Sequence, residues 1–251
     1  LDMEWIDGVT LLEKVDELCQ KRDRAGLEQL LDRWVSLLAH MQRIHLAHGD
    51  LAGANVMVRP DGRLVLVDYD GVYIPEFAGR ERVVAGWPDY QHPQFQQRPF
   101  NETMDAFSAA VIYTALAALT VRPELLNMRS KRNSKGQIDN ENLLFEKKDF
   151  EAPASSPLFQ ELRKLNDPRV KNGLEYLLRA CQMPVDQLRF PVNLIDPEYE
   201  AKQALNRLKK AIQNGNDVEI KKAWVPILET YGPAQPYRTH KDKAEQRLKA
   251  L

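Results

Sequence analysis

The chain has 251 residues, 43% of them hydrophobic and 28% charged, with a net charge of −1. That is ordinary soluble globular material, enough for one sizeable core or a domain with an appendage. The longest apolar stretch, residues 106–119, is shorter than a bilayer span and follows Asp105, so a buried core helix is expected there rather than a membrane helix. Cys19 and Cys181 make no metal or disulfide pattern and no secretory signal is read at the start, so a reducing, cytoplasmic setting is expected. Charge is uneven: residues 201–251 hold 11 Lys+Arg against 5 Asp+Glu, and the first 200 hold 24 against 31. Solvated helical faces account for this better than a nucleic-acid surface, so nucleic acid is not an expected partner.

In chain order, residues 10–20 place Leu11, Leu12, Val15 and Leu18 at helical spacing. After Gly26, the residues Leu27, Leu30, Leu31, Trp34, Leu37, Leu38, Met41 and Ile44 fall on one face, which predicts an amphipathic helix over 27–46. Val56-Met57-Val58 and Leu64-Val65-Leu66-Val67 are short apolar runs joined by Arg59-Pro60-Asp61-Gly62-Arg63, the pattern of a β-hairpin. His48, Asp50 and Asn55 precede its first strand and Asp68 and Asp70 follow its second. These side chains should therefore gather at one end of the hairpin. Carboxylates and an amide held together suit a divalent cation with oxygen ligands, such as Mg²⁺.

Residues 72–93 are broken by Pro75, Gly79, Gly86, Pro88 and Pro93 and predict irregular structure. Asp105 then opens an apolar helix, where a helix-terminal charge is one sufficient reason for it. Residues 129–157 are polar and interrupted by Gly, Pro and Ser, apart from an apolar island at Leu143-Leu144-Phe145, and read as a partly mobile surface insertion. Residues 158–165 and 170–181 are further helix candidates. Beyond Pro197, residues 199–213, 217–230 and 241–251 read as three helices, the second capped by Asp217 after Asn214-Gly215-Asn216.

The order His48-Gly49-Asp50, Asn55 five residues after that Asp, hairpin, then Asp68-Tyr69-Asp70-Gly71 resembles the catalytic loop and metal-binding motif of the protein kinase-like superfamily, in a divergent form of bacterial type. The resemblance covers residues 1–195. It implies a mainly α fold, the large C-terminal lobe of a kinase, with a short hairpin carrying the catalytic loop. Residues 1–9 are similar to the kinase hinge, 10–195 form the lobe with 129–157 inserted, and 196–251 form a helical extension that could receive a protein partner. The small N-terminal lobe, with its Gly-rich loop, strand Lys and helix Glu, is not found in the chain, so these 251 residues alone are expected to be inactive.

By the same resemblance Asp50 is the catalytic carboxylate, Asn55 and Asp68 hold Mg²⁺, and the nucleotide is ATP. Met3 and Met57 bracket the adenine, with Glu4 and Ile6 offering hinge backbone groups. His48 packs beneath the loop with Tyr69. Residues 86–94 look like the segment that ends the kinase activation loop, with Gln94 where a Glu is usual, and Arg189 is similar to the Arg that pairs with that Glu. Asp105 stands where kinases have an Asp that accepts hydrogen bonds from the catalytic-loop backbone.

The departures narrow the expectation. Gly49 replaces an Arg that often receives an activating phosphate, and residues 72–93 contain no Ser or Thr, leaving Tyr73 and Tyr90 as the hydroxyls there. Ala52 and Trp87 replace a Lys and a Thr that cooperate in Ser/Thr kinases. The function expected is phosphoryl transfer from MgATP to a hydroxyl, on a protein. The rivals are a pseudokinase or scaffold that binds nucleotide or a protein partner, and a small-molecule kinase.

Overall fold

The computed structural model describes residues 5–81, 84–129, 133–134 and 142–189. All belong to one of the two units into which the chain divides, Leu1–Ile195. Met3, Glu4 and the three helices expected beyond residue 196 lie outside the described residues.

The architecture is mainly helical, with one small sheet. It begins at strand β1 (Val9–Thr10), which runs directly into helix α1 (Leu11–Lys21). Thr10 caps the helix: its hydroxyl accepts from the Glu13 N–H at 3.2 Å while the Glu13 carboxylate accepts from the Thr10 N–H at 2.8 Å. Helix α2 (Arg24–Arg43) starts before Gly26, because Asp23 accepts from the Gly26 N–H at 2.9 Å and so satisfies the first turn. Its predicted stripe is buried from Leu27 through Met41 apart from half-buried Leu37, whereas Ile44, past the end of the helix, is exposed. The chain leaves α2 through His45 at φ +54°, a left-handed turn that directs it toward His48.

The hairpin forms as expected. Strand β2 (Val56–Val58) pairs antiparallel with β3 (Leu64–Leu66), in the register Val56 to Leu66 and Val58 to Leu64. β1 adds to the other edge of β2, giving the order β1-β2-β3, a third strand too short to be legible in residues 1–9. Val56 and Val58 point into the core, and the strand's two-residue alternation turns half-buried Met57 to the opposite face.

Helix α3 (Ala106–Val121) is the central helix of the described core. Every residue from Ala106 to Thr120 is buried, so it has no polar face; a helix apolar all round belongs inside a core. α2 packs against one side of it and α6 (Pro168–Ala180) against another. Trp34 of α2 is fully buried and its indole N–H donates to the Ala109 carbonyl at 3.2 Å, which meets the one polar need of a large apolar ring. On the α6 side, a Cβ at Gly173 would lie 2.4 Å from the Thr114 hydroxyl oxygen, so the two helices approach as closely as a glycine allows.

The second half of the expected insertion is core rather than surface. Leu143, Leu144 and Phe145 are fully or almost fully buried, and helix α4 (Lys147–Glu151) adds Phe150. Helix α5 (Pro157–Arg163), capped by Ser156, brings Phe159 to the same cluster, in which Phe107, Phe145, Phe150 and Phe159 meet mostly edge to face. Buried Asp149 there is paired with Arg129 and Ser156, both at 2.9 Å or less. The polar flanks of residues 143–145 conceal this, because they are satisfied by one another. Among the described residues no helix is long and apolar enough to cross a membrane.

Candidate active site

Three elements deliver the expected site residues to one end of the hairpin. Because Val56 pairs with Leu66, Asn55 stands across from Val67, and the Val67 N–H donates to the Asn55 carbonyl at 3.0 Å. Asp68 is the next residue. The Asn55 side-chain amide donates to the Asp50 carbonyl at 2.8 Å, which orients the amide and ties Asn55 to the loop before it. A bridge between Ala47 and Tyr73, with reciprocal backbone bonds of 3.0 and 2.8 Å, closes the unit by joining the residue before His48 to the chain after Gly71.

His48 is fully buried, and its Nε2 lies 2.8 Å from the Val67 carbonyl, which can only accept; Nε2 therefore carries the proton. Its ring meets Tyr69 at 5.6 Å, in the packing role expected for it. Gly49 is at φ +85°, and a Cβ there would lie 2.2 Å from the Gly71 carbonyl oxygen. The two loops are thus in backbone contact at Gly49 and Gly71, which is the physical reason no larger residue stands at position 49.

Asp105 is buried at the start of α3 and makes no cap to its own helix. Instead its two carboxylate oxygens accept from the His48 and Gly49 N–H groups, the latter at 3.0 Å. Full burial pushes this carboxyl above its ordinary range, against the nearby Arg98 guanidinium, His48 and the two loop N–H groups, which favour the anion. The remaining polar group of Gly49, its carbonyl, accepts from Arg98 at 2.8 Å. Arg98 also donates to the Gln91 side-chain oxygen at 2.8 Å.

Asp50 is nearly buried, and one of its carboxylate oxygens accepts from the Trp87 backbone N–H at 3.1 Å. The second has no protein partner among the described residues. Asp68 is exposed, at φ +66°, one of three described non-glycine residues in the left-handed region. Such a conformation is kept only where the surroundings impose it, and it is characteristic of functional loops. Asp70 is exposed beside it.

A divalent cation would find two protein ligands here, the Asn55 amide oxygen and the Asp68 carboxylate. Among the described residues no three His, Cys, Asp or Glu side chains form a metal-binding group. The donor set fits Mg²⁺ of the kind that one or two protein ligands share with phosphate oxygens and water, rather than a metal caged by protein alone. Asn55 is suited to it because its NH₂ is committed to the Asp50 carbonyl, leaving its oxygen on the other side. Of the nucleotide contacts expected, Ile6 and Met57 are half-buried, and Met3 and Glu4 fall outside the described residues.

Elsewhere the expectation changes. Arg189 turns its guanidinium to the carbonyls of Asp186 and Leu188, at 2.9 and 2.8 Å, and not to Gln94. That end is held instead by His92, whose Nε2 lies 2.9 Å from the Ala180 carbonyl and whose Nδ1 accepts from the Gln94 N–H. Burial pushes both cysteine thiols up to about 12, which removes them as nucleophiles. Arg98, Gln91 and the Trp87 N–H are site residues that sequence patterns do not reveal. No protein-family model matches the chain, and no curated protein is recognisably similar to it.

Proposed function

We propose that this chain is the large lobe of a kinase-like phosphotransferase that moves a phosphoryl group from MgATP to a hydroxyl, on a protein. The observation that carries the reading is the setting of Asp50. Its loop is held through both N–H groups of residues 48 and 49 by Asp105 and tied to Asn55 through the Asp50 carbonyl, one carboxylate oxygen is occupied by Trp87, and the other has no protein partner among the described residues. A carboxylate fixed on one side and open on the other is suited to orient a hydroxyl and take its proton.

In this reading the acceptor oxygen bonds to the γ-phosphorus as the bond to the bridging oxygen of the departing ADP breaks. The hydroxyl proton passes to the open oxygen of Asp50. Asn55 and Asp68 would hold the cation, which would offset the charge on the phosphates. By the same resemblance Met3 and Met57 would bracket the adenine, and Glu4 and Ile6 would offer it backbone groups.

The test is transfer from γ-labelled ATP by the protein in its full natural length. Asp50→Asn should lower kcat by about 10²–10⁴ with the unfolding midpoint unchanged, the usual size of general-base assistance. Equal transfer by wild type and Asp50→Asn would sink the reading. A wild type that binds MgATP and transfers nothing would favour the scaffold, and transfer only to small hydroxyl compounds would favour the small-molecule kinase.

A further inference from the structure

The catalytic loop has no arginine of its own, since Gly49 stands where many kinases carry one. An arginine nevertheless reaches it. Arg98 is buried to 6% exposure, and its two terminal nitrogens diverge: one donates to the Gly49 carbonyl at 2.8 Å, the other to the Gln91 side-chain oxygen at 2.8 Å. With Asp105 on the two loop N–H groups and Arg98 on the Gly49 carbonyl, all the polar backbone atoms of Gly49 are engaged by two oppositely charged buried side chains.

The second branch leads back to Asp50. Because Arg98 occupies the Gln91 oxygen, the Gln91 NH₂ must face the other way. It faces Gly86: the point a Gly86 Cβ would take lies 2.4 Å from Gln91 Nε2 and 3.1 Å from Asp50 Oδ1. Gly86 is at φ +82°, and the N–H of the next residue, Trp87, is the one that holds Asp50. Gln91 Nε2 is buried without a protein partner, a free donor beside the Asp50 carboxylate. The guanidinium therefore fixes the loop backbone on one side and, on the other, the side chain of Gln91, whose backbone N–H donates to the Pro88 carbonyl at 3.1 Å and whose NH₂ lies against Gly86, in the turn that grips the Asp50 side chain.

Within residues 72–93 there is no serine or threonine, and both tyrosines are buried. Tyr90 accepts from the Leu143 N–H at 3.1 Å, and Tyr73 lies edge-on against Phe100 at 5.3 Å. No exposed hydroxyl among the described residues of that segment is available to take a phosphate and bring a charge to the loop.

We infer that Arg98 is a positioning residue for phosphoryl transfer, a built-in cation that sets the Gly49–Asp50 loop and the Gly86–Trp87 turn without phosphorylation of residues 72–93. This rests on the phosphotransferase reading above. Arg98 does not touch the reacting atoms; it acts through Gly49, Gln91 and Trp87. A charged fork is the right group, since it serves two acceptors at once in fixed geometry, which an ammonium cannot do.

Two measurements on the full-length protein test it. Arg98→Met should lower kcat about tenfold or more, the loss expected from one charge-assisted hydrogen bond, while KM for ATP and the thermal shift given by MgATP stay near wild type. Arg98→Lys, which keeps charge and one donor, should recover part of kcat. Unchanged kcat in folded Arg98→Met would overturn the inference alone. The second measurement needs no variant, so it holds even if these fail to fold: exhaustive treatment of the wild type with a Ser/Thr/Tyr phosphatase should leave its rate unchanged, and a loss of rate would overturn the inference. A wild type with neither transfer nor a MgATP shift would overturn the phosphotransferase reading, and this inference with it.

Discussion

Helix α3 and the irregular stretch from Gly86 to Asp105 meet at Asp105, and they are held by opposite means. α3 is fixed by non-directional burial: fifteen successive residues out of water, apolar apart from the four hydroxyls of Ser108, Tyr113, Thr114 and Thr120, two of which return to their own helix's carbonyls. The stretch before it has little regular structure and is fixed by directional contacts from few side chains, among them Gln91, His92, Arg98 and Asp105. Burial tolerates exchange of one apolar group for another of like volume, whereas a buried polar contact tolerates almost none. The fold therefore places its precision where the His48–Asp50 loop is held and its bulk where that loop need only be supported.

The comparison can be broken most severely at its junction. Asp105→Ala strands two buried loop N–H groups and removes the buried carboxylate near Arg98, which should cost about 3–5 kcal/mol of stability in chemical unfolding. Trp34→Ala, on the bulk side, should cost a similar about 3–5 kcal/mol. The two differ in what survives: enough stabilising osmolyte should restore nucleotide binding and transfer to Trp34→Ala but not transfer to Asp105→Ala. Equal rescue of both would show that Asp105 supplies only stability.

A smaller effect should appear with pH. Burial holds His92 below its ordinary range, against its contact with the Ala180 carbonyl, so it is neutral when folded and takes up a proton on unfolding. Its contribution is present above the unfolded value of about 6.5 and lost as pH falls through the lowered folded one. Urea midpoints of the wild type should fall between pH 7.5 and 5.5, and His92→Gln should flatten that slope. The least effect belongs to Glu17, held down to about 2 by the ammonium groups of Lys14 and Lys21 on the outer face of α1. Stability from it is present above the ordinary carboxylate range and lost as pH falls toward about 2. Because Lys21 is exposed and Glu17 and Lys14 are only half-buried, Glu17→Gln should cost no more than about 0.5 kcal/mol at neutral pH, and nothing in high salt.

Much of the bulk side was legible in the sequence, because burial leaves a periodic trace. Leu27 through Met41 repeat at helical spacing, residues 106–119 are apolar without interruption, and the runs around Pro60-Asp61-Gly62 mark a hairpin whose register then decides where Asn55 and Asp68 must stand. The kinase-like motif order also implied that Asp105 would accept from the backbone of the loop before the hairpin, and it does so at His48 and Gly49. The precise side was illegible for a physical reason. Arg98 serves a carbonyl 49 residues earlier and Trp87 an oxygen 37 residues earlier, and neither contact has a period or a local composition to betray it. Leu143-Leu144-Phe145 misled because only three apolar residues show above polar flanks, yet Arg129 and Asp149 neutralise each other and let the segment enter the core. β1 escaped notice because two residues form it and its partner is nearly fifty residues away.

The central claim, that Asn55 and Asp68 are the metal-holding end of a phosphotransferase site, is tested most directly by thermal unfolding of the full-length protein with and without MgATP, in wild type and Asp68→Ala. At about 100 times the dissociation constant the wild type should gain about 2.7 kcal/mol, and Asp68→Ala, unchanged in its own midpoint, should lose most of that gain. An equal shift in both proteins would contradict Asp68 as a ligand, and no shift in the wild type would contradict the nucleotide site itself.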